Sequence, residues 1–252
     1  MSNIHIYQWN TLNTRDKYQK TNFNDDEKCN TLTNNLPTDA HLIVLQEVSP
    51  NILEKLVKVS TTYEWLPTAG HNGWLVVIGM NKKLLSERFE SFHSINFGEE
   101  MGSGKAVGMI VFDSFIIAGV HLPFYERGGP EAFTQIQEMM DKWDPANKRT
   151  RIVVGDFNLD YQNNAPPKET IASMESLIQD STWVYGDKEL NVKTTKCIDG
   201  SLRNLNHLIY RKTPLTKVEI LEVNPLWEAD NNLTSPKFPS DHTMVEFVVQ
   251  FC

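Results

Sequence analysis

The stretch Ile-Val-Val-Gly-Asp-Phe-Asn-Leu-Asp, residues 152–160, decides the fold. Its apolar residues are typical of a buried strand, which ends at Gly155 and is followed by Asp156 and Asn158. Side chains two residues apart on an extended backbone point the same way, so a carboxylate and a carboxamide would leave the strand together. Such groups bind hard divalent cations and the phosphates that these cations polarise. An ordinary turn would use the same residues, so the rest of the chain must distinguish a turn from a site.

The composition is that of an ordinary soluble globular protein. Of the 252 residues, 40% are hydrophobic and 22% are charged, and no repeat, low-complexity tract or linker divides them, so we expect one domain over residues 1–252. Three cysteines without metal-ligand spacing argue against a disulfide scaffold and favour a reducing compartment. No signal peptide and no apolar run of membrane-spanning length are visible, and no oligomerisation motif is present. We therefore expect an intracellular monomer, in the cytoplasm or the nucleus.

The net charge of −8 argues against a protein that coats nucleic acid by general electrostatic attraction. It does not exclude a nuclease. Part of the negative charge can form a cation-binding cluster, and the bound cation then presents positive charge to phosphate.

Apolar patterning predicts ten strands and four helices. The strands are expected at 4–9, 42–46, 74–80, 88–95, 106–112, 115–121, 151–155, 206–210, 217–223 and 243–250. The helices are expected at 25–36, after Ser49-Pro50, at 130–143 and at 167–179, and loops at 59–72, 96–104, 122–129, 160–166, 180–200 and 224–240. Many strands and few helices in mixed order indicate an α/β protein with two stacked sheets flanked by helices.

Several predicted strands end in polar residues that a buried strand does not need. These are Asn10, Glu47, His121, Asp156 and Asn158, and Asp241-His242 comes just before the last strand. Each has an ordinary explanation: a helix cap for the acids, a turn for Asn10, a simple hydrogen bond for a lone histidine. Strand ends in stacked sheets converge on one edge, where sites form. Six such coincidences in one chain favour a site over six separate accidents.

Five short motifs resemble those of the endonuclease/exonuclease/phosphatase superfamily. They are Trp9-Asn10, Leu45-Gln46-Glu47-Val48, Val120-His121-Leu122, Gly155-Asp156-Phe157-Asn158 and Ser240-Asp241-His242. They occur in the family's order and spread over nearly the whole chain. The resemblance implies a four-layered α/β/β/α sandwich, a divalent metal, usually Mg²⁺ with Mn²⁺ as an alternative, and hydrolysis of phosphoester bonds.

The resemblance also implies a role for each matching residue. Glu47 resembles the principal metal ligand, with Asn10 beside it and Asp241 near the metal. Asp156 resembles the group that orients or deprotonates the attacking water, and Asn158 resembles a donor that stabilises charge on the phosphoryl oxygens. Mg²⁺ prefers one or two carboxylates plus water and substrate oxygens, which suits a site centred on Glu47.

The two histidines complete the implied site, which departs from the family pattern at one position. His121 and His242 resemble residues that contact the scissile phosphate, and we expect neighbouring carboxylates to keep such histidines protonated. Asn206 stands where the family has an Asp that hydrogen-bonds the final histidine. Its amide oxygen can accept that bond but carries no charge. This predicts a His242 that is correctly placed but stabilises phosphate more weakly at neutral pH.

Three functions remain open from the sequence. The first is a divalent-metal-dependent phosphodiesterase, most readily a nuclease acting on DNA or RNA, and the second is a phosphatase acting on an inositol phosphate or a nucleotide. The third is a catalytically weak scaffold, which only Asn206 favours. A nucleic-acid groove would need local basic and aromatic groups, for which Lys105, Arg127, Arg203 and Tyr125 are among the candidates.

Overall fold

The computed structural model describes most of the sandwich that the sequence predicts. The described residues are 3–11, 25–35, 39–68, 74–85, 88–101, 104–124, 127–159, 183–185, 195–196, 202–203, 205–211, 213, 218–225, 242 and 244–251. In chain order their elements are β1 (Asn3–Asn10), α1 (Asp25–Asn35), β2 (Leu42–Val48), α2 (Pro50–Val59), β3 (Tyr63–Pro67), β4 (Leu75–Asn81), β5 (Phe89–Asn96), a short 3-10 helix (Glu99–Met101), β6 (Ala106–Phe112), β7 (Phe115–His121), α3 (Gly129–Trp143), β8 (Thr150–Asp156), β9 (Trp183–Tyr185), β10 (Thr195–Lys196), β11 (Leu202–Arg203), β12 (Asn206–Arg211), β13 (Val218–Pro225) and β14 (Val245–Phe251).

Two mixed six-stranded sheets form the centre of the molecule. The first has the order β13-β14-β1-β2-β4-β3 and the second the order β5-β6-β7-β8-β12-β9, while β10 and β11 pair separately. Each large sheet contains one parallel pair, β1–β2 in the first and β7–β8 in the second. The other neighbouring strands are antiparallel. Parallel strands end at the same edge of a sheet, so in each sheet the ends of two neighbouring strands lie side by side.

Alternation of side chains along the strands divides the core into three apolar layers. The sheets face each other through side chains such as Ile6, Val44, Ile78, Ile117 and Val154. The outer face of the first sheet packs against α1 and α2, through residues that include Trp9, Ile43, Leu32, Ile52 and Leu56. The outer face of the second sheet packs against α3, through residues that include Ala118, Val153, Phe133, Ile136 and Met140. The described elements thus form the α/β/β/α sandwich that the sequence predicts.

A glycine of β7 lies in close contact with the opposing sheet. A Cβ atom added to Gly119 would lie 2.7 Å from Cγ1 of Val44 and 3.2 Å from Ile78, both on the opposing sheet. Any larger residue would need a wider gap between the sheets, because protein cores are close-packed. Gly119 therefore sets how near the first sheet lies to the second.

All ten predicted strands are present with ends within two residues, and the helices predicted at 25–36, after Ser49-Pro50 and at 130–143 are confirmed. The predicted loop at 59–72 is wrong, because it contains β3, and the loop at 180–200 contains β9 and β10. β3 is an edge strand with mostly half-exposed side chains, so it shows no apolar run. The helix predicted at 167–179 lies outside the described residues. No helix within the described ranges is long and apolar enough to cross a membrane.

Candidate active site at the junction of the two sheets

The ends of the two parallel strand pairs meet at one edge of the sandwich. β1 ends at Asn10, and Glu47 lies near the end of β2; in the second sheet His121 and Asp156 are direct register partners. The side-chain amide of Asn10 donates to Glu47 Oε1 at 3.2 Å and to Asp156 Oδ2 at 2.8 Å. Asn10 thus bonds to Asp156, which lies 146 positions later in the sequence, and the site includes residues of both sheets.

The turn after β8 holds Asp156 in a fixed orientation. Gly155 has φ +145°, and a Cβ there would collide with the carbonyl oxygen of Val120 on the neighbouring strand, so only glycine fits. Asp156 Oδ1 accepts the backbone N–H of Asn158 at 2.8 Å, while the Asn158 amide donates to the Leu122 carbonyl at 2.7 Å. The segment is therefore a side-chain-stabilised turn and also the element that presents the carboxylate. The segment therefore fits both interpretations of its sequence, the turn and the site.

Glu47 occupies a strained backbone conformation. Its φ is +53°, a region in which residues other than glycine are uncommon, and it lies in the irregular part of β2 between Leu45 and Val48. The hydroxyl of Thr11 donates to the Glu47 carbonyl oxygen at 2.9 Å and supports this conformation. Such strain costs about 1–3 kcal/mol and is concentrated at functional sites. In this conformation the Glu47 carboxylate accepts a hydrogen bond from Asn10.

His121 is neutral, contrary to the expectation that neighbouring carboxylates keep it protonated. Its Nδ1 lies 3.1 Å from the carbonyl oxygen of Gly104, which can only accept, so Nδ1 holds the proton. Its Nε2 contacts the ammonium of Lys105, which can only donate, so Nε2 holds a lone pair. Burial, together with the charge of Lys105, lowers the pKa of His121 to about 3, against the opposite effect of Asp156. Lys105, and not His121, is thus the positively charged member of this pair.

Lys105 lies among the groups at the junction of the sheets. Burial lowers the pKa of its ammonium, and the negative charges of Asp156 and Glu47 act against this shift. The His121 ring beside it is 3.6 Å from Glu47 Oε1 and 3.8 Å from Asp156 Oδ2. The sequence contained a usable signal for this residue. Lys105 directly precedes the buried strand β6, which starts at the edge where β7 ends, because Ala106 pairs with His121.

Asp156 is held ionised although it is buried. Burial alone would raise the pKa of its carboxyl group, but electrostatic interactions with His242 and Lys105 and the hydrogen bond from Asn10 hold it below its ordinary value. His242 Nε2 lies 3.9 Å from Asp156 Oδ2, and the His242 carbonyl accepts the indole N–H of Trp9 at 3.0 Å. An ionised carboxylate without bulk water is the state that accepts or orients a proton of a bound molecule.

Asn206 does not make the hydrogen bond that the sequence predicts. It begins β12 opposite Asp156 and is 1% exposed, yet neither its amide nitrogen nor its amide oxygen has a hydrogen-bond partner within the described part of the chain. The expected bond with His242 is therefore absent there, and that prediction is wrong. The physical reason is that the register pairs Asn206 with Asp156, while His242 is fixed through its backbone by Trp9.

Three predicted site residues cannot be placed in the same way. Asp241 and Tyr125 lie outside the described residues, and Arg203 is placed only as the β11 partner of Thr195, without a described side chain. The described geometry therefore brings together Asn10, Glu47, His121, Asp156, Asn158 and His242, with Asn206 beside them.

The donor set at Glu47 fits a hard divalent cation. Mg²⁺ takes one or two carboxylates and fills its other positions with water and substrate oxygens, so Glu47 with the carboxamide of Asn10 is sufficient protein ligation. Within the described ranges, three histidine and carboxylate ligand atoms come within 4.8 Å of one another in a different place, at His5, Asp39 and Glu246. His5 lies in β1 five residues before Asn10. Because Glu47 and Asn10 would supply only part of the coordination shell of a metal at the candidate site, water and substrate oxygens would supply the rest.

No protein-family model and no curated protein matches the chain, whereas solved structures match it over nearly its whole length. An endonuclease/exonuclease/phosphatase protein from Bacteroides vulgatus has a TM-score of 0.71 and 13% identity, with 100% of both chains covered. D. rerio TDP2 in complex with a single-stranded DNA product has a TM-score of 0.70 and 16% identity, covering 99% of this chain and 100% of that one. A mannosyl-6-phosphatase from Bacteroides thetaiotaomicron has a TM-score of 0.67 and 13% identity, covering 99% of each. The chain has the endonuclease/exonuclease/phosphatase fold, as its motifs predict.

Proposed function

We propose that the protein is a divalent-metal-dependent phosphoester hydrolase that acts as a phosphodiesterase, most readily on DNA or RNA. The observation that carries the proposal is the environment of Asp156. This buried carboxylate is held ionised, is fixed by Asn10 and by the Asn158 backbone, and faces the cation Lys105 across His121. An oriented base beside fixed positive charge is what attack of water on a phosphate ester requires.

Each residue has a role in this proposal. Asp156 orients the attacking water and accepts its proton. Lys105, His242 and Asn158 stabilise the charge that develops on the phosphoryl oxygens, which makes the cation of the site a lysine instead of His121. Neutral His121 holds the Lys105 ammonium in place through Nε2.

The metal would be held by Glu47, with Asn10 beside it and Asp241 as a further ligand, and Mg²⁺ or Mn²⁺ would suit these oxygen donors. When bound, it would polarise the phosphoryl oxygen and lower the cost of charge there. Arg203 and Tyr125 are proposed to contact the substrate outside this centre.

The structural neighbours support two substrate classes. The TDP2 complex with a single-stranded DNA product favours nucleic acid. The mannosyl-6-phosphatase favours the alternative, a phosphatase acting on a small phosphorylated substrate. The net charge of −8 gives this alternative some support, because nothing in the overall charge attracts a polyanion.

Substrate panels with and without metal test the proposal. Single- and double-stranded DNA, RNA, phosphoinositides and sugar phosphates are incubated with Mg²⁺ or Mn²⁺ and with a chelator. We expect hydrolysis that the chelator abolishes, and losses of about 100-fold or more in Glu47→Gln and Asp156→Asn. Glu138→Gln, an exposed carboxylate on α3, is the matched control and should keep full activity. Hydrolysis that persists in Asp156→Asn would overturn the proposal.

A further inference from the structure

An exposed aromatic ring lies close to two cations next to the candidate active site. Phe124 follows the catalytic strand end at His121 by three residues, and 45% of its surface is exposed. The Lys105 ammonium is 5.4 Å from the centre of its ring and the Arg127 guanidinium carbon is 5.8 Å from it. A single exposed phenylalanine is ordinary on a protein surface, but two cations on its ring beside a phosphoesterase centre are not.

Backbone hydrogen bonds fix this ring relative to the centre. Leu122 N donates to the Asp156 carbonyl at 2.9 Å, which ties the segment to the end of β8. The Phe124 carbonyl accepts the backbone N–H of Arg127 at 2.9 Å and of Gly129 at 3.3 Å, where α3 begins. Phe124 is therefore held between a catalytic strand and a helix start, so its ring occupies a defined place at the rim of the site.

Among the described residues, the carboxylates that act on Lys105 belong to the candidate active site. Arg127 is exposed and has no carboxylate partner within the described ranges. Its positive charge acts on Lys105, whose own neighbouring carboxylates, Asp156 and Glu47, lie on the side of the catalytic centre. An exposed guanidinium beside a second cation is suited to binding an anion such as a phosphate.

We infer that Phe124, Lys105 and Arg127 form a subsite for one nucleotide unit of the substrate, an inference that rests on the proposed function. The base stacks on the Phe124 ring, and the phosphate next to it lies against the two cations. Stacking on an aromatic ring tolerates every base, because each base has a π face, so this subsite selects for the presence of a base and not for its identity. The substrate class is thus a single-stranded nucleic acid or an oligonucleotide end, whose bases are open to stacking.

A base-deletion experiment tests the subsite. Cleavage of a short single-stranded DNA is compared with cleavage of the same strand carrying abasic tetrahydrofuran residues, and kcat/KM is measured for both. In Phe124→Leu we expect the preference for the base-containing strand to fall about tenfold, whereas Phe124→Trp keeps it. Phe89→Leu, another exposed phenylalanine, on β5, is the control and should leave the preference unchanged. An unchanged preference in Phe124→Leu would overturn the inference.

Calorimetric binding separates this inference from the proposed function. The whole protein is titrated with a nucleoside 3′,5′-bisphosphate and with the abasic sugar bisphosphate. Binding that needs the base and is weakened about tenfold by Phe124→Leu and by Arg127→Gln supports the subsite. Lys148→Gln, which changes an exposed lysine after α3, is the charge control.

The possible outcomes are distinguishable. Equal binding of the two bisphosphates overturns the inference, while Asp156-dependent cleavage of DNA or RNA still supports the proposed function. Hydrolysis confined to sugar phosphates overturns the inference and favours the alternative, a phosphatase. Base-dependent binding through Phe124 without any Asp156-dependent hydrolysis supports the subsite as a nucleotide site and overturns the proposed function.

Discussion

At the scale of single residues, the distribution of protons and charges differs most from what the motifs imply. A histidine motif identifies the strand end correctly, but the charge state of His121 depends on Gly104 and Lys105, which contribute a carbonyl and an ammonium from a different strand connection. Motifs describe which residues are present at each strand end. Proton positions depend on partners across the sheet, which the motifs do not include.

Replacing Lys105 tests whether it is the cation of the site. We expect Lys105→Gln to lower kcat/KM about 100- to 1,000-fold, because a preorganised charge on the phosphoryl oxygens is lost. It should also raise the pKa of Asp156, since a positive charge disappears while burial remains. Activity requires ionised Asp156, so the acid limb of the pH–rate profile should move to higher pH.

Lys148→Gln serves as the control in that experiment, because Lys148 is exposed and lies after α3. A Lys105→Gln enzyme with the wild-type acid limb would contradict the assigned charge distribution.

Asn206 offers a test by unfolding. Burying an amide whose two polar atoms lack partners costs stability, whereas an apolar side chain of similar shape has no such cost. We expect Asn206→Leu to have a free energy of unfolding in urea equal to that of the wild type or up to about 1 kcal/mol higher. Asn206→Asp should unfold more easily at neutral pH, because it places a buried carboxylate opposite Asp156. Loss of more than about 2 kcal/mol in Asn206→Leu would show that the amide has a partner.

At the scale of elements, buried strands could be predicted from the sequence and edge strands could not. β2, β6, β7 and β8 are buried at every position because both their faces are covered, and their bounds follow from the apolar runs within them. β3 is an edge strand that pairs with β4 along its length, and its Trp65 ring covers Gly79 of β4. The strand ends that form the site could be predicted because each follows an apolar run. That Asn10 links the two sheets through Glu47 and Asp156 could be seen only in the tertiary structure.

The start of α2 can be tested as an element. Ser49 Oγ accepts the backbone N–H of Ile52 at 3.2 Å, and Pro50 follows at the first helical position. We expect Ser49→Ala to lower the free energy of unfolding by about 1 kcal/mol, measured by urea denaturation, because one N–H of the first turn loses its partner. Ser49→Asn should keep most of the stability. Equal losses in both variants would mean that the serine acts in another way.

At the scale of the whole molecule, we expect the proposed activity to depend on the distance between the sheets. Gly119→Ala places a methyl group against Val44, so the sheets must separate locally and the Asn10 bridge between Glu47 and Asp156 must lengthen. We expect a stability loss of about 1–3 kcal/mol and a loss of kcat/KM of about tenfold or more.

Ile136→Val, on the buried face of α3, is the matched control for this substitution. It should lose about 0.5–1.5 kcal/mol of stability with nearly unchanged kcat/KM, because it leaves the contact between the sheets intact. Equal activity losses in the two variants would mean that general destabilisation, and not sheet spacing, controls the site.

The position of β14 has a consequence for synthesis of the protein. β1, which carries Asn10, lies in its sheet between β2 and β14, and His242 comes just before β14 in the sequence. While the chain is still being translated, β1 lacks one of its two neighbours, and a growing polypeptide has no His242 to place beside Asp156. If the protein cleaves nucleic acid, as we propose, it would therefore be inert on the ribosome, next to its own messenger, until nearly all of these residues have emerged.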